Sequence, residues 1–229
     1  MPQSETDFMD STAAKIILAA RRGDSVKRIS DKVDISYSWV YDWVERLEDA
    51  DIIRNTDSGV QVVDHEIRRQ YDEMMGALYS RENISQKDAY VIPHLAGMEF
   101  AYTEIDAAYV WTHGGYQIAR SHHDYPVFIQ IHDRDVERWV AFFERYGIET
   151  TIDERPAASD VHGNIHYVLF PTKGSIKPEW IDGNPVISLA EAVEQMTENR
   201  PAYEPALEII ADEYDADVDA VHHNRMATE

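Results

Sequence analysis

The periodicity of apolar residues between Ser11 and Asp64 constrains the fold of this chain more than any other feature. Within DSVKRISDKVD, Val26, Ile29 and Val33 recur at the spacing of one helical face. The preceding segment, STAAKIILAARRG, is also apolar at helical spacing, and it lies between a serine suited to begin a helix and a glycine suited to end one. Two successive helices are therefore predicted at the start of this region.

A third helix and a hairpin are predicted to follow. Ser36 is placed to cap the segment YSWVYDWVERLEDAD, whose apolar stripe consists of Val40, Val44 and Leu47. The next segment, IIRNTDSGVQVV, contains two β-rich runs around an Asp-Ser-Gly turn, which indicates a β-hairpin. Three helices and then a hairpin are the order of a winged helix-turn-helix.

The phrase VKRISDKVDISYSWVYDWVERLEDADIIR resembles the winged-helix transcription factors of the broad MarR and ArsR type. The resemblance rests on Ile35-Ser36 in the turn, on Val40 and Val44, on Leu47-Glu48 at the helix end and on Ile52-Ile53 at the start of the wing. It implies a DNA-binding domain whose third helix enters the major groove.

Side chains that lie off the apolar stripe of the third helix are predicted to face DNA. A serine hydroxyl can donate to or accept from base edges, a tyrosine ring can contact a thymine methyl group, and an aspartate can accept from cytosine N4. The predicted base contacts are Tyr37, Ser38, Tyr41 and Asp42. The predicted phosphate contacts, for each of which a solvated surface position is the alternative, are Lys27, Arg28, Lys32, Ser36, Arg46 and Arg54.

Two tryptophans on the same helix have two interpretations. Trp39 and Trp43 are four residues apart. They are predicted either to pack against the wing or the first helix, or to stack on a flipped or single-stranded base.

The charge of the chain is strongly acidic, with 43 Asp and Glu against 21 Lys and Arg and a formal net charge of −22. Abundant acids with scarce lysine resemble the proteins of a salt-in halophile, in which acidic surfaces serve solubility. The alternative is an acidic protein with a basic partner. Residues 11–64 are the exception, since they carry eight Lys or Arg and ten Asp or Glu. This near-neutral segment is the part expected to approach DNA.

Composition also limits the compartment. The chain has no cysteine, which excludes disulfides and cysteine-based zinc sites. Its acidic first residues lack an apolar signal region, and no apolar stretch reaches the length of a membrane span. We therefore expect a soluble, cytoplasmic protein without membrane contact.

A fourth helix is predicted to link two domains. HEIRRQYDEMMGALYSR places Ile67, Tyr71, Met74 and Leu78 on one face. This face is predicted to pack within the chain, to dock on the wing, or to pair with a second copy in a homodimer.

Strands and helices alternate beyond residue 84. The predicted strands are AAYVWTH, YPVFIQIH, IETTI and IHYVLF, and the predicted helices are GGYQIARS, DRDVERWVAFFERYG, SLAEAVEQMTENR and YEPALEIIADEY. In the second of these helices Val136, Val140 and Phe143 are predicted to face inward and Gly147 to end it, while Ser188 is predicted to cap the third. This order predicts an α/β domain.

The second domain resembles the nucleotidyltransferase-like domains of the AbiEi and AbiEii toxin–antitoxin families. In those domains a Gly-Gly or Gly-Ser turn begins a helix, and an Asp-x-Asp pair follows on the next strand. Gly114 and Gly115 match the turn, with Tyr116 and Arg120 behind them, and GNPVISLAEAVEQM resembles the end of such domains. AbiEi antitoxins place a winged helix before such a domain and act as DNA-binding repressors. The resemblance therefore implies an autorepressor with a toxin partner and a vestigial nucleotide-binding turn at Gly114 and Gly115.

The strand that should carry the catalytic carboxylates reads PVFIQI and contains no acid. In catalytic members the carboxylate pair holds Mg²⁺ against a triphosphate. Asp133 is predicted instead to cap the next helix. We therefore expect no enzymatic activity. The alternative is a nucleotidyltransferase that acts on a nucleoside triphosphate with displaced carboxylates, Asp124, Asp133 and Asp135.

The second domain is also rich in histidine, at positions 113, 122, 123, 132, 162 and 166. His122, His123, Asp124 and His132 define an alternative metal site, or a ligand-sensing face. No HExxH motif is present. Ordinary polar or partly buried histidines are expected, with no metal and no cofactor.

These patterns predict an α+β protein with a winged helix-turn-helix at residues 11–64, a linking helix at 65–83 and a nucleotidyltransferase-like α/β domain at 84–212. Residues 1–10 and an acidic tail at 213–229 are expected to be disordered. The predicted function is transcriptional regulation, with the third helix reading an operator and the second domain serving assembly or sensing. The predicted partners are double-stranded DNA, a second copy of the chain and a toxin protein.

Overall fold

The computed structural model describes residues 11–81, 84–117, 120, 124–154, 165–216 and 218. The segments predicted to be disordered, 1–10 and most of 213–229, lie outside these residues. The chain begins with helices α1 (Ser11–Ala19), α2 (Val26–Val33) and α3 (Tyr37–Asp49), strands β1 (Ile53–Thr56) and β2 (Gly59–Val62), and helices α4 (His65–Tyr79) and α5 (Gln86–Leu95).

The remaining elements alternate between strands and helices. They are β3 (Phe100–Tyr102), α6 (Glu104–Trp111), β4 (Tyr125–His132), α7 (Val136–Arg145), β5 (Glu149–Ile152), β6 (Ile165–Thr172), β7 (Glu179–Ile181), β8 (Asn184–Val186), α8 (Leu189–Glu198) and α9 (Arg200–Tyr214). A 3-10 turn, Asp133–Asp135, precedes α7. The molecule is a mixed helix-and-sheet protein with a helix-turn-helix region before an α/β region, as predicted.

The chain divides into two compact units. The first, called here the helical unit, comprises Met1–Met98, Glu137–Thr150 and His162–Ile165. The second, called here the sheet unit, comprises Glu99–Val136, Thr151–Val161 and His166–Glu229. The helical unit thus contains α4, α5 and most of α7 in addition to the three helices and the hairpin.

Helix α1 is the centre of the helical unit. Its apolar residues, including Ile16, Ile17 and Leu18, are buried on all sides because α2, α3, α4 and α5 all pack on this helix. The predicted stripes of α2 and α3 are buried as well, which confirms both helices and their inward faces. Burial of such apolar surface contributes about 25 cal/mol of stability per Å² and is the main source of stability in a core of this kind.

Helix α4 packs on α1 of the same chain, which is one of the three arrangements predicted for it. Arg68 on α4 donates hydrogen bonds to the backbone carbonyls of Ile17, Leu18 and Ala20, at 3.2, 2.8 and 3.2 Å. These carbonyls at the end of α1 have no intrahelical donors, so the guanidinium satisfies them. Leu78 from the predicted apolar stripe remains 49% exposed.

The inward face of α7 agrees with the prediction at Phe143 and differs from it at Val136 and Val140. Trp139, Phe142, Phe143 and Tyr146 are buried, whereas Val140 is half-buried. These aromatic residues recur at helical spacing, and they bury more apolar surface than the two valines would. Gly147, with a φ of +71°, ends the helix as predicted.

The sheet has six strands in the order β5-β6-β4-β3-β8-β7. Strands β3 and β4 are antiparallel, with Phe100 opposite Ile131, and β3 and β8 are parallel. β7 and β8 form an antiparallel hairpin around Asp182 and Gly183, which both have positive φ. This hairpin is not among the predicted elements, although Asp-Gly is a strong signal for a two-residue turn.

The segment AAYVWTH was predicted as a strand, and this prediction is wrong because most of it lies in α6. Thr103 stands at the N-cap position of α6, and Glu104 and Asp106 lie in its first turn, where acidic residues are favourable. The helix is buried on several sides, so its apolar run shows no amphipathic period and resembles a buried strand.

Candidate nucleic-acid interface

The orientation of α3 is fixed by its buried face. Val40, Val44 and Leu47 are fully buried, and Trp43 is only 2% exposed. The backbone N–H of Asn55 in β1 donates to the Glu48 carboxylate at 2.9 Å, which connects the end of α3 to the hairpin. The opposite face of α3 is thereby held outward.

The outward face near the start of α3 carries the four predicted base-contact residues. Tyr37 is 48% exposed and Tyr41 39% exposed, and their ring centroids lie 6.1 Å apart. Ser38 and Asp42 are exposed beside them. A hydrogen bond to Glu45 raises the pKa of the Tyr41 phenol, so this side chain is neutral at physiological pH. The structure brings these four residues together on one accessible surface, and their contact with bases stays a prediction.

The two tryptophans of α3 have different environments. Trp43 is buried, in agreement with packing inside the domain, whereas Trp39 is 40% exposed and meets Trp43 edge to face at 6.4 Å. The Arg46 guanidinium lies 5.1 Å from the Trp43 ring centroid and 6.0 Å from that of Trp39. Cation–π attraction therefore holds Arg46 along the indole rings.

The phosphate contact predicted for Lys32 is wrong. Its ammonium group lies 2.6 Å from the Asp24 carboxylate, and the two side chains are 1% and 8% exposed. Burial lowers the pKa of Lys32, and the Asp24 carboxylate opposes this shift. Lys32 adjoins the apolar face formed by Ile29 and Val33 on α2, so a phosphate cannot reach it.

The other predicted phosphate contacts lie at the surface. Lys27 is exposed and forms an ion pair with Asp31, while Arg28 and Arg54 are exposed. Ser36 occupies the N-cap position of α3 as predicted, but its side chain makes no capping hydrogen bond. Their contacts with phosphates stay predictions.

The hairpin is tied to the loop before α2. Val60 in β2 pairs with Asp24, and its backbone N–H donates to the Asp24 carbonyl at 2.8 Å. Gly59 has a φ of +103°, and a Cβ at this position would lie 2.7 Å from that carbonyl oxygen. Glycine is therefore required where the hairpin passes the loop. Arg54 lies on β1 of this hairpin.

The electrostatics of α3 are uneven along its length. Residues 37–41 carry no formal charge, whereas Asp42, Glu45, Glu48 and Asp49 give the rest of the helix an acidic character that Arg46 offsets only in part. Only the first turns of α3 are therefore suited to approach a phosphate-lined groove.

The predicted nucleotide-binding turn does not have the required geometry. Gly114 and Gly115 follow the C-terminal end of α6, and the two described residues directly after them, 116 and 117, are not helical. Backbone N–H groups at a helix start are what a phosphate needs, and a helix C-terminus presents carbonyls instead. This geometry does not support a vestigial phosphate turn at Gly114 and Gly115, which stays a prediction.

The displaced acids also have structural surroundings. Asp133 is the first residue of the 3-10 turn, where His132 is the N-cap, so the predicted capping role of Asp133 is wrong. Asp124 precedes β4 and its carboxylate lies 3.9 Å from His166. Asp124 and His132 thus stand at opposite ends of an eight-residue strand, about 25 Å apart at the usual rise per residue. They cannot share a metal ion, and His122 and His123 lie outside the described residues.

The described ranges lack both a membrane-spanning helix and a metal-binding cluster. In that part of the chain no helix is long and apolar enough to cross a membrane. The same residues contain no group of three His, Asp or Glu side chains arranged to hold a metal ion.

The N-terminal helices are similar to one family of known domains. Residues 11–52 match the family model described as a Homeodomain-like domain, which is a helix-turn-helix domain. No curated protein and no solved structure matches the chain. The matched residues span α1, α2 and α3, including the exposed start of α3. The presence of this domain suggests DNA binding in a regulatory role.

Proposed function

We propose that the protein is a transcriptional regulator that reads double-stranded DNA with the first turns of α3. The observation that carries the proposal is the outward surface of Tyr37, Ser38, Tyr41 and Asp42 on a helix anchored by a buried stripe. Three hydroxyl groups, a carboxylate and two aromatic faces supply hydrogen bonds to base edges and apolar contact with thymine methyl groups.

Phosphate contacts on either side of α3 would set its register in the groove. Lys27 and Arg28 are exposed on α2, and Arg54 is exposed on the hairpin. Cations on the element before the recognition helix and on the wing are suitably placed to contact the two strands that border one major groove. With few such cations, base contacts must contribute a large share of the affinity.

The regulator is further proposed to act as a repressor, by occupying an operator in the manner of an antitoxin-like autorepressor. The support is the order of a helix-turn-helix before an α/β unit, which is also the order of AbiEi antitoxins. In this proposal the sheet unit serves assembly or sensing, and the partners are a second copy of the chain and a toxin protein. The absence of acids from PVFIQI supports a non-enzymatic sheet unit.

The acidic composition supports the proposal that the protein works in the cytoplasm of a salt-in halophile. Electrostatic attraction to DNA is weak in molar salt because the release of counterions into concentrated salt gains little entropy. An interface that begins with the uncharged residues 37–41, three of which are aromatic, suits such conditions better than a strongly basic one.

Selection from a library of random duplexes tests the proposed function. The purified chain is incubated with the library in about 1 M KCl, and the retained duplexes are sequenced. The proposal predicts enrichment of one motif, and it predicts that Tyr37→Ala with Tyr41→Ala abolishes the enrichment. Retained sequences identical in composition to the input would contradict it.

A further inference from the structure

The sheet unit contains a cavity of about 520 Å³ at one end of its sheet. β4 and β6 are neighbours in the sheet, and their last residues, His132 and Thr172, both line the cavity. Glu99, which precedes β3, lines it as well. Ligands of open α/β sheets characteristically bind where adjacent strands end in this way. The cavity does not include Gly114 or Gly115 and is unrelated to the turn predicted there.

Cations are concentrated at this cavity although the chain as a whole is acidic. Arg134 and Lys173 line it, and Lys177 lies in the same loop after β6. Lys173 is one of only six lysines in the chain. Arg134 is 76% exposed, with its neighbour Asp135 at 3.7 Å, and Lys173 forms no ion pair with any described residue. Two available cations facing one cavity favour an anionic group there.

Hydroxyl groups also line the cavity. The backbone N–H of Gly174 donates to the Thr172 hydroxyl at 3.2 Å, which folds the loop back on the end of β6. The Thr172 hydroxyl accepts this bond and keeps its own proton for a ligand. Ser175 contributes a second hydroxyl to the lining. Ammonium, guanidinium and hydroxyl donors together match the oxygens of a phosphate.

The lining of the cavity also contains acidic residues. Glu99 and Asp133 line it, and the His132 Nε2 atom lies 3.0 Å from the Glu99 carboxylate. Carboxylates accept hydrogen bonds from hydroxyl groups, as they do from the ribose of bound nucleotides. They also repel further negative charge, so a triphosphate is a poor match for this cavity.

We propose that this cavity binds a small molecule with one phosphate and a sugar, such as a sugar phosphate or a nucleoside monophosphate. Lys173 and Arg134 contact the phosphate, and Asp133 and Glu99 accept hydrogen bonds from the sugar hydroxyls. The volume is within the range of small-molecule sites, roughly 300 to 1,000 Å³. An effect of this ligand on transcription rests on the proposed DNA-binding function, but its binding to the protein does not.

The test uses the full chain without DNA, so its failure and a failure of DNA binding are separate results. Ribose 5-phosphate and adenosine monophosphate are titrated by calorimetry, and amide signals are followed by ¹⁵N nuclear magnetic resonance. The proposal predicts binding of at least one probe with a Kd below about 1 mM, with shifted signals for residues 173–176. Lys173→Gln is expected to weaken this binding by about tenfold or more, the loss of one charged hydrogen bond.

Matched variants separate the cavity from general charge effects. Lys177→Gln removes the same charge from the same loop outside the cavity, and it is expected to leave the affinity within about twofold. Asp133→Asn is expected to alter binding of ribose 5-phosphate while leaving that of inorganic phosphate no weaker. The proposal would be overturned if neither probe saturated the protein at about 5 mM. Equal losses of affinity in Lys173→Gln and Lys177→Gln would overturn it as well.

Discussion

The Lys32 ammonium lies 2.6 Å from the Asp24 carboxylate, and both side chains are almost completely removed from solvent. The same carboxylate accepts the backbone N–H of Arg21 at 2.8 Å, while the backbone carbonyl of Asp24 accepts the N–H of Val60. The pair thus joins the turn after α1, helix α2 and the hairpin. Lys32 is therefore a structural residue of the helix-turn-helix.

Removal of the Lys32 charge should destabilise the protein strongly. In Lys32→Met the Asp24 carboxylate stays buried without its cation, which costs about 3 kcal/mol or more. Urea unfolding in constant KCl measures the free energy of unfolding. Lys27→Met is the matched control, because Lys27 is exposed and pairs with Asp31 at the surface. Equal stabilities of the two variants would show that the Asp24–Lys32 pair is not buried in solution.

Stability should fall as the pH falls below about 6.5 because of His94. Burial on α5, together with the positive charges of Lys32 and Arg21, holds the pKa of His94 well below its ordinary value of 6.5. Between that lowered pKa and 6.5 the unfolded chain binds a proton that the folded chain does not. The free energy of unfolding therefore decreases toward acid pH by up to about 1.4 kcal/mol per unit.

A comparison of variants isolates the His94 contribution from those of other titrating groups. His94→Leu should have a shallower loss of stability between pH 6.5 and 5 than the unmodified chain, since no group at this site takes up a proton. His65→Asn is the control because His65 is exposed at the start of α4. A profile of His94→Leu parallel to that of the unmodified chain would contradict the assignment.

Gly59→Ala should destabilise the hairpin. The new Cβ would lie 2.7 Å from the Asp24 carbonyl oxygen on a backbone with a φ of +103°, so both the contact and the conformation are unfavourable. We expect a loss of about 2 kcal/mol in the free energy of unfolding. Gly174→Ala is the control, because its φ is not in the left-handed region and its nearest contact is 3.4 Å. Unchanged stability of Gly59→Ala would mean that the hairpin does not pass the loop so closely.

The salt dependence of DNA binding should show whether Arg54 contacts a phosphate. Arg54→Ala is expected to reduce the slope of log Kobs against log[KCl] by about one, since one counterion fewer is released. Arg54 is exposed on β1, so folding should be unaffected. The slope is read from binding isotherms at several salt concentrations. An unchanged slope would remove Arg54 from the interface.

The sequence predicted the first three helices and the hairpin because their signals are local. Apolar residues at helical spacing were sufficient to orient α3, and Ser36 marked its start. The capping role of Ser188 was confirmed as well, since its side chain accepts the backbone N–H of Glu191. Such patterns hold because each element buries one face and leaves the other in water.

The errors occurred where burial is not one-sided or where partners are distant in sequence. Helix α6 is buried on several sides and therefore shows no amphipathic period. Lys32 appears in the sequence as one of several cations in a near-neutral segment, and only the fold brings Asp24 against it. Lys173 was not selected from the sequence, although a lysine next to glycine and serine in an acidic chain was a signal.

Fluorescence anisotropy on the selected duplex tests the central claim most directly. The titration is run in about 1 M KCl with excess random duplex as competitor, for the unmodified chain, for Ser38→Ala with Tyr41→Ala, and for Asp49→Asn at the far end of α3. If the first turns of α3 read the sequence, the double variant loses at least about tenfold in affinity, and Asp49→Asn stays within about twofold. Equal affinity of the unmodified chain and the double variant, or binding that random duplex abolishes, would contradict recognition of DNA by α3.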